Sequence, residues 1–226
     1  MNKPIIFVGP SLDLQKARKI FDADYRPPAK KGDLIGLLSY SNDSDLIIVG
    51  LIDGLFLQDY PPTPIEVYQL LRKTNSFVLG AASIGALRAV ELEKYGMIGI
   101  GKIFELYKQK KFTADDEVAV TFNEETGVLQ SEAMIDIRYN LLLARKKGII
   151  DEETRRTTVK VAKGMYFPDR NYVDIISETE RRFPRLSESM KSLRSFISNT
   201  KRSLKEKDAI ELIICAKNKY ESKARI

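Results

Sequence analysis

Three times in its first 95 residues the chain passes from a short apolar run, through small or polar residues, into a helical repeat. The first run is Pro4 to Val8. Gly9-Pro10-Ser11 ends it, and Leu12 to Phe21 has helical periodicity. The second is Leu46 to Val49, extended to Ile52 or cut at Gly50, and it carries Asp53-Gly54 at its end. A proline-rich loop, Gln58 to Pro64, then opens a helix running through Val67, Leu70 and Leu71 to Lys73, with proline in the tolerated first turn. The third is Phe77 to Leu79, followed by Gly80-Ala81-Ala82, Ser83 and a helix from Ile84 to Leu92. Between the first two, Ala23 to Pro28 reads as a rigid extended connection, Leu34 to Tyr40 as a helix, and Ser41 to Asp45 as a polar turn. Such alternation predicts an α/β fold, a parallel Rossmann-like sheet flanked by helices. Right-handed crossovers then bring the strand ends, and with them Ser11, Asp53 and Ser83, to one edge.

Each of these three residues has two readings. Ser83 can cap the helix that follows it, or act as a nucleophile exposed on a sharp strand-to-helix turn. Ser11 can cap the first helix, or face a ligand at the end of the first strand. Asp53 can close a turn or take part in catalysis. Histidine is absent from the chain, which removes Ser-His-Asp triads, Cys-His dyads and histidine-ligated metals. The single cysteine, Cys215, excludes an internal disulfide framework.

The remainder reads as mostly helical. Tyr95 to Gly101 is punctuated by glycine but lacks the spacing of a dinucleotide fingerprint. Lys102 to Lys111 is a basic helix. Asp115-Asp116-Glu117 precedes an expected strand, Val118 to Phe122, as a solvated turn or as acids facing the serine. These hard oxygen ligands have no support from their surroundings, so neither a metal nor a cofactor is expected. Leu129 to Lys147, with Ser131 as its cap, and Asp151 to Lys163 read as helices, and an aromatic loop follows at Gly164 to Val173. The helical pattern then continues with lysine and arginine between its apolar positions. The predicted organisation is a core domain, 1–176, and a basic helical C-terminal appendage, 177–226. The charge agrees with that division: residues 1–150 hold 19 basic and 19 acidic side chains, while 151–226 hold 18 and 12, the whole excess of +6. A basic tail suits an acidic protein or a nucleic acid, but no recognition motif for nucleic acid accompanies it. No apolar segment is long enough to span a membrane, and the N-terminal apolar run is too short for a signal peptide, so the expected location is cytoplasmic.

Several stretches together resemble the TfuA-like protein core. They are Val8 to Leu12, Tyr25 to Pro28 with Lys31 to Asp33, Ile52 to Gly54, Gly80 to Ala89, Glu91-Leu92, Gly96-Met97 through Gly101, Asp115 to Val120, and Phe167 to Arg170. They occur in the family's order over roughly residues 5–176. The resemblance implies a partner of YcaO-type ATP-dependent enzymes in peptide backbone thioamidation. It also implies a thiocarboxylated, ThiS-like sulfur carrier that is recruited and hydrolysed, and a precursor peptide or protein as substrate. Ribosomally made natural-product (RiPP) precursors and a glycine of methyl-coenzyme M reductase are such substrates in the family.

Thiocarboxylate hydrolysis needs a nucleophile at a carbonyl and donors for an oxyanion, and sulfide is a good leaving group. For that chemistry the expected nucleophile is Ser83, with N–H groups near Ile84 and Ser11 as oxyanion donors. Asp53 or an acid such as Asp116 or Glu117 serves as base or orienter, Gly9 and Gly80 line the substrate, and Arg88 steers the carrier's C-terminus. One departure stands out. Members often carry His-Lys-Glu in the helix before the serine strand, where this chain has Pro64-Ile65-Glu66. The alternatives are a non-catalytic adaptor joining peptide, carrier and YcaO, a phosphate-binding module at Gly80 to Gly85, and a nucleic-acid binder.

Overall fold

A computed structural model describes residues 2–39, 46–55, 60–123 and 126–224. The polar turn expected at Ser41 to Asp45, the end of the helix at Tyr40 and the loop residues Gln58 and Asp59 lie outside them. The chain divides into two compact units, Met1–Thr113 with Lys205–Ile226, and Ala114–Leu204.

The first unit is built on five parallel strands: β1 (Ile5–Phe7), β2 (Asp24–Arg26), β3 (Ile47–Leu51), β4 (Ser76–Gly80) and β5 (Ile98–Gly99). Their order is β2-β1-β3-β4-β5, so the α/β expectation holds. Between the strands lie α1 (Leu14–Ile20), α2 (Asp33–Ser39), α3 (Pro64–Leu71) and α4 (Ile84–Leu92), and α5 (Gly101–Lys108) follows β5. The stretch read from sequence as a connection, Ala23 to Pro28, contains edge strand β2. Its Tyr25 packs on the core while its hydroxyl donates to the carbonyls of Ala17 and Phe21. The cap of α1 is Asp13, whose carboxylate accepts the Lys16 N–H; Ser11 is engaged elsewhere.

The second unit is helical, with α6 (Met134–Lys146), α7 (Glu152–Gly164), α8 (Tyr172–Arg182) and α9 (Ser187–Thr200). Its core joins Ile137, Leu141, Ile175, Met190 and Leu193. Val118 to Phe122 does not form the expected strand: only Phe122 makes a bridge, antiparallel to Leu129. The hydroxyl of Ser131 accepts the Thr121 N–H there, so Ser131 holds this hairpin and α6 starts later than its sequence pattern.

The final helix, α10 (Leu204–Ala224), carries Ala209, Leu212, Ile213 and Ala216 into the core on one face of the sheet, with Ile6, Ile48 and Ala17. Burying each of its large aliphatic side chains contributes about 2 kcal/mol. One turn before Leu212 stands Asp208, fully buried. Its Oδ2 accepts the Ile103 N–H at 2.7 Å and so caps α5 from another helix, while Oδ1 has no partner among the described residues. Gly101 makes room for it: φ is +88°, and a Cβ there would lie 2.3 Å from Asp208 Cγ.

Burial pushes the Asp208 carboxyl up to about 6, against the lowering effect of the Ile103 and Lys102 N–H groups. The folded chain therefore holds this proton more tightly than the unfolded chain. The associated stability is complete below about pH 4 and is lost as pH rises through about 6, some 3 kcal/mol in all. Asn at 208 removes the titration. Urea unfolding of the wild type minus that of Asp208→Asn is expected to show this loss between pH 4 and 7, and parallel pH profiles would refute it.

Candidate active site

Strand register sets the edge. Phe7 pairs with Leu51, and Leu51 with Gly80, so β1, β3 and β4 end side by side. In this strand order the crevice for a ligand lies beyond the carboxyl ends, where the connection reverses between β1 and β3. Asp53 is there, 1% exposed. Its Oδ2 accepts the N–H groups of Gly9 (2.9 Å) and Ser11 (3.0 Å), and its Oδ1 accepts the Ser11 hydroxyl at 2.6 Å. The carboxylate thus moulds the β1–α1 turn around itself. Ser11 N–H is spent on this clamp and is not open to an oxyanion.

Ser83 stands on a different kind of turn. Its N–H donates to the Ala81 carbonyl two residues back, at 2.7 Å, and the residue between, Ala82, has φ +64°. This is the strained hand of the three-residue γ-turn, rare for a residue with a Cβ. Holding one residue there costs about 1–3 kcal/mol. The rest of the junction enforces it. Ala81 N–H donates to Leu51, and Gly85 N–H to Ile52. A Cβ on Gly85 would lie 1.7 Å from the Leu51 carbonyl oxygen, and one on Gly80 2.1 Å from that of Gly85. Alpha-4 therefore starts directly against the ends of β3 and β4.

Ser83 holds the cap position of α4, yet its hydroxyl makes no capping bond. Its carbonyl accepts from Ala86 and Leu87. Among the described residues nothing accepts the Ile84 N–H. A partly buried serine whose hydroxyl caps nothing is thus followed directly by a backbone N–H with no acceptor among the described residues. The capping reading of Ser83 does not match this geometry.

The neighbouring loops are tied to this junction. A Cβ on Gly54 would meet the Ile84 side chain at 2.8 Å and Pro62 at 3.4 Å, so Gly54, Pro62 and Ile84 pack together. Arg88 donates from Nε to the Pro62 carbonyl (2.8 Å) and pairs through Nη1 with Glu91. It anchors the loop before α3. Glu66, buried, forms a capping box with Thr63 and also accepts the Gly32 N–H at 2.7 Å. Glu66 is thus occupied in joining two loops. Its Thr-x-x-Glu spacing was a readable sign of the box.

Asp116 and Glu117 belong to the second unit. Asp116 pairs with Lys163 and with Arg170, whose buried guanidinium also donates to the Asp116 and Ala162 carbonyls. Glu117 takes a two-pronged contact from Arg138 (2.8 and 3.0 Å) and one from Lys163. Burial pushes the Asp116 carboxyl up, but Arg170 and Lys163 outweigh it and hold the group below the usual carboxylate range. The three basic partners come from 21 to 54 residues downstream, and no spacing rule in the sequence announces them.

The clamp yields a direct expectation. Asp53→Ala strands the buried Ser11 hydroxyl and two N–H groups, and should cost about 3 kcal/mol. An unchanged urea midpoint would show that the turn does not depend on Asp53.

Among the described residues, no helix is long and apolar enough to cross a membrane. The family model described as TfuA-like protein matches residues 53–171, a span that includes Asp53, Ser83, Arg88, Asp116 and Glu117 but not Gly9 or Ser11. No curated protein matches the chain.

Proposed function

The chain belongs to the TfuA-like protein family, which works in YcaO-associated pathways, and on that premise we propose that it releases sulfide from a thiocarboxylated sulfur carrier for backbone thioamidation. The observation that carries this reading is the strained turn at Ala82. It leaves the Ser83 hydroxyl without a capping bond at the sheet edge, beside the Ile84 N–H, which has no acceptor among the described residues. Strain retained in a glycine-lined junction accords with a functional position.

The chemistry needs little from the protein. Ser83 Oγ attacks the thiocarboxylate carbon, and the Ile84 N–H faces the oxygen as negative charge grows on it. The carbon–sulfur bond breaks. The serine proton ends on the departing sulfur, giving hydrosulfide and an acyl-serine. Water then cleaves the ester to a carboxylic acid and restores the hydroxyl. Because the substrate's own sulfur accepts the first proton, the lack of histidine is no obstacle to this step.

The other residues serve position. Asp53, with three donors on its carboxylate, holds the Gly9 to Ser11 turn rather than acting as a base. Gly80 keeps the wall thin, and Arg88 fixes the Pro62 loop. Asp116 and Glu117, held by Lys163, Arg170 and Arg138, order the second unit itself. The partners in this account are a ThiS-like carrier, a YcaO enzyme and its peptide or protein substrate.

The test is to mix the purified chain with a thiocarboxylated carrier and trap sulfide with a fluorogenic alkylating reagent. Release well above that of the carrier alone is expected. No acceleration, with carrier binding intact, would contradict hydrolysis and favour a purely adaptor role.

A further inference from the structure

Alpha-3 and the short 3-10 turn after α4, Glu93–Tyr95, present an uncovered apolar strip. Ile65 is 68% exposed, Tyr95 60% and Tyr68 38%. Ile65 and Tyr68 are three residues apart on α3, hence neighbours on its surface. The Tyr68 and Tyr95 rings meet edge to face, with centroids 5.1 Å apart and planes at 75°. Leaving an isoleucine and a tyrosine pair in water forgoes the free energy of their burial.

The charges around the strip have one sign to spare. Arg72 follows Tyr68 by one turn and Lys94 precedes Tyr95. Neither has an ion-pair partner among the described residues. The nearby carboxylates are occupied: Glu66 by Thr63 and Gly32, Glu91 by Arg88, and Glu93 by Lys108. The strip is therefore aromatic, aliphatic and positive.

The geometry points to this strip as the docking face for an acidic segment of a protein partner that carries aliphatic or aromatic anchors. A nucleic acid is the poorer fit. Two cations supply little counterion release, and exposed Ile65 has nothing to offer a phosphate chain. A peptide gains from both parts of the face, burying Ile65 and the tyrosine pair as a central anchor and meeting Arg72 and Lys94 at the rim. Pro62 and Thr63 lead straight into α3, and Pro62 packs on Gly54 beside Ile84.

The test needs no knowledge of the natural partner. Random peptides of about a dozen residues, displayed on phage, are selected on the full chain. Winners are expected to mix Asp or Glu with Leu, Phe, Tyr or Trp. A dye-labelled copy of the strongest is then titrated by fluorescence anisotropy. Combining Ile65→Ser with Tyr68→Ser should weaken it about tenfold or more, and Arg72→Glu about fivefold, with a shallower salt dependence. All three positions are exposed, and circular dichroism checks that the fold is kept. A single-stranded oligonucleotide should not displace the peptide. No enrichment, basic winners, affinity indifferent to these variants, or displacement by the oligonucleotide would each overturn the assignment. None of those results would bear on sulfide release.

Discussion

Gly85→Ala is expected to be the most damaging single-methyl change in the chain. The added carbon would sit 1.7 Å from the Leu51 carbonyl oxygen and 2.6 Å from its carbon. Both are backbone atoms of a central strand, so no side chain can swing aside. Either α4 lifts off the sheet or β3 bends, and both break the bonds from Ala81 and Gly85 to Leu51 and Ile52. Overpacking of a flexible site costs about 1–3 kcal/mol. A clash of backbone on backbone belongs with the rarer losses above about 4 kcal/mol. Gly36→Ala is the control. Gly36 lies inside α2, and a Cβ there meets nothing within 4 Å, so helix propensity alone should stabilise by up to about 1 kcal/mol. Urea unfolding of the two variants should move in opposite directions. Wild-type stability in Gly85→Ala would mean that the tight junction is not there.

That junction also shows where the sequence speaks and where it falls silent. The fold class was legible because its apolar runs alternate with helical repeats, and parallel crossovers put the strand ends on one edge; the register that aligns Phe7, Leu51 and Gly80 came from the structure. Edge strand β2 was not legible. It is three residues long, half-exposed and followed by prolines, so it lacks both alternation and an apolar run. The packing of α10 on the sheet was equally hidden. Its lysines read as a solvated tail, and the stripe that is buried, Ala209, Leu212, Ile213 and Ala216, is half alanine and so a weak apolar signal. At the site, the meeting of Ser11 with Asp53 followed from strand order. The strain at Ala82 did not, since nothing in alanine announces a positive φ; only the glycines on either side hint that the backbone there is crowded.

Ser83→Ala carries the largest expected effect on activity. The hydroxyl makes no capping bond, so its removal leaves α4 as it is, and stability should change by less than about 0.5 kcal/mol. The same change deletes the attacking oxygen. With Ile84 N–H and the loops intact, the carrier should still bind, but no acyl-serine can form. Loss of a nucleophile that works as part of a unit costs about a thousandfold or more. Separation of these effects distinguishes a catalytic serine from a structural one, which would shift the unfolding midpoint and the rate together.

The measurement that reaches the centre of this account is therefore sulfide release from a thiocarboxylated carrier by the wild type and by Ser83→Ala, with carrier affinity and urea midpoint recorded on the same samples. A fall of about a thousandfold in release, with affinity and midpoint unchanged, is the expected result. Release by Ser83→Ala at the wild-type rate would contradict it.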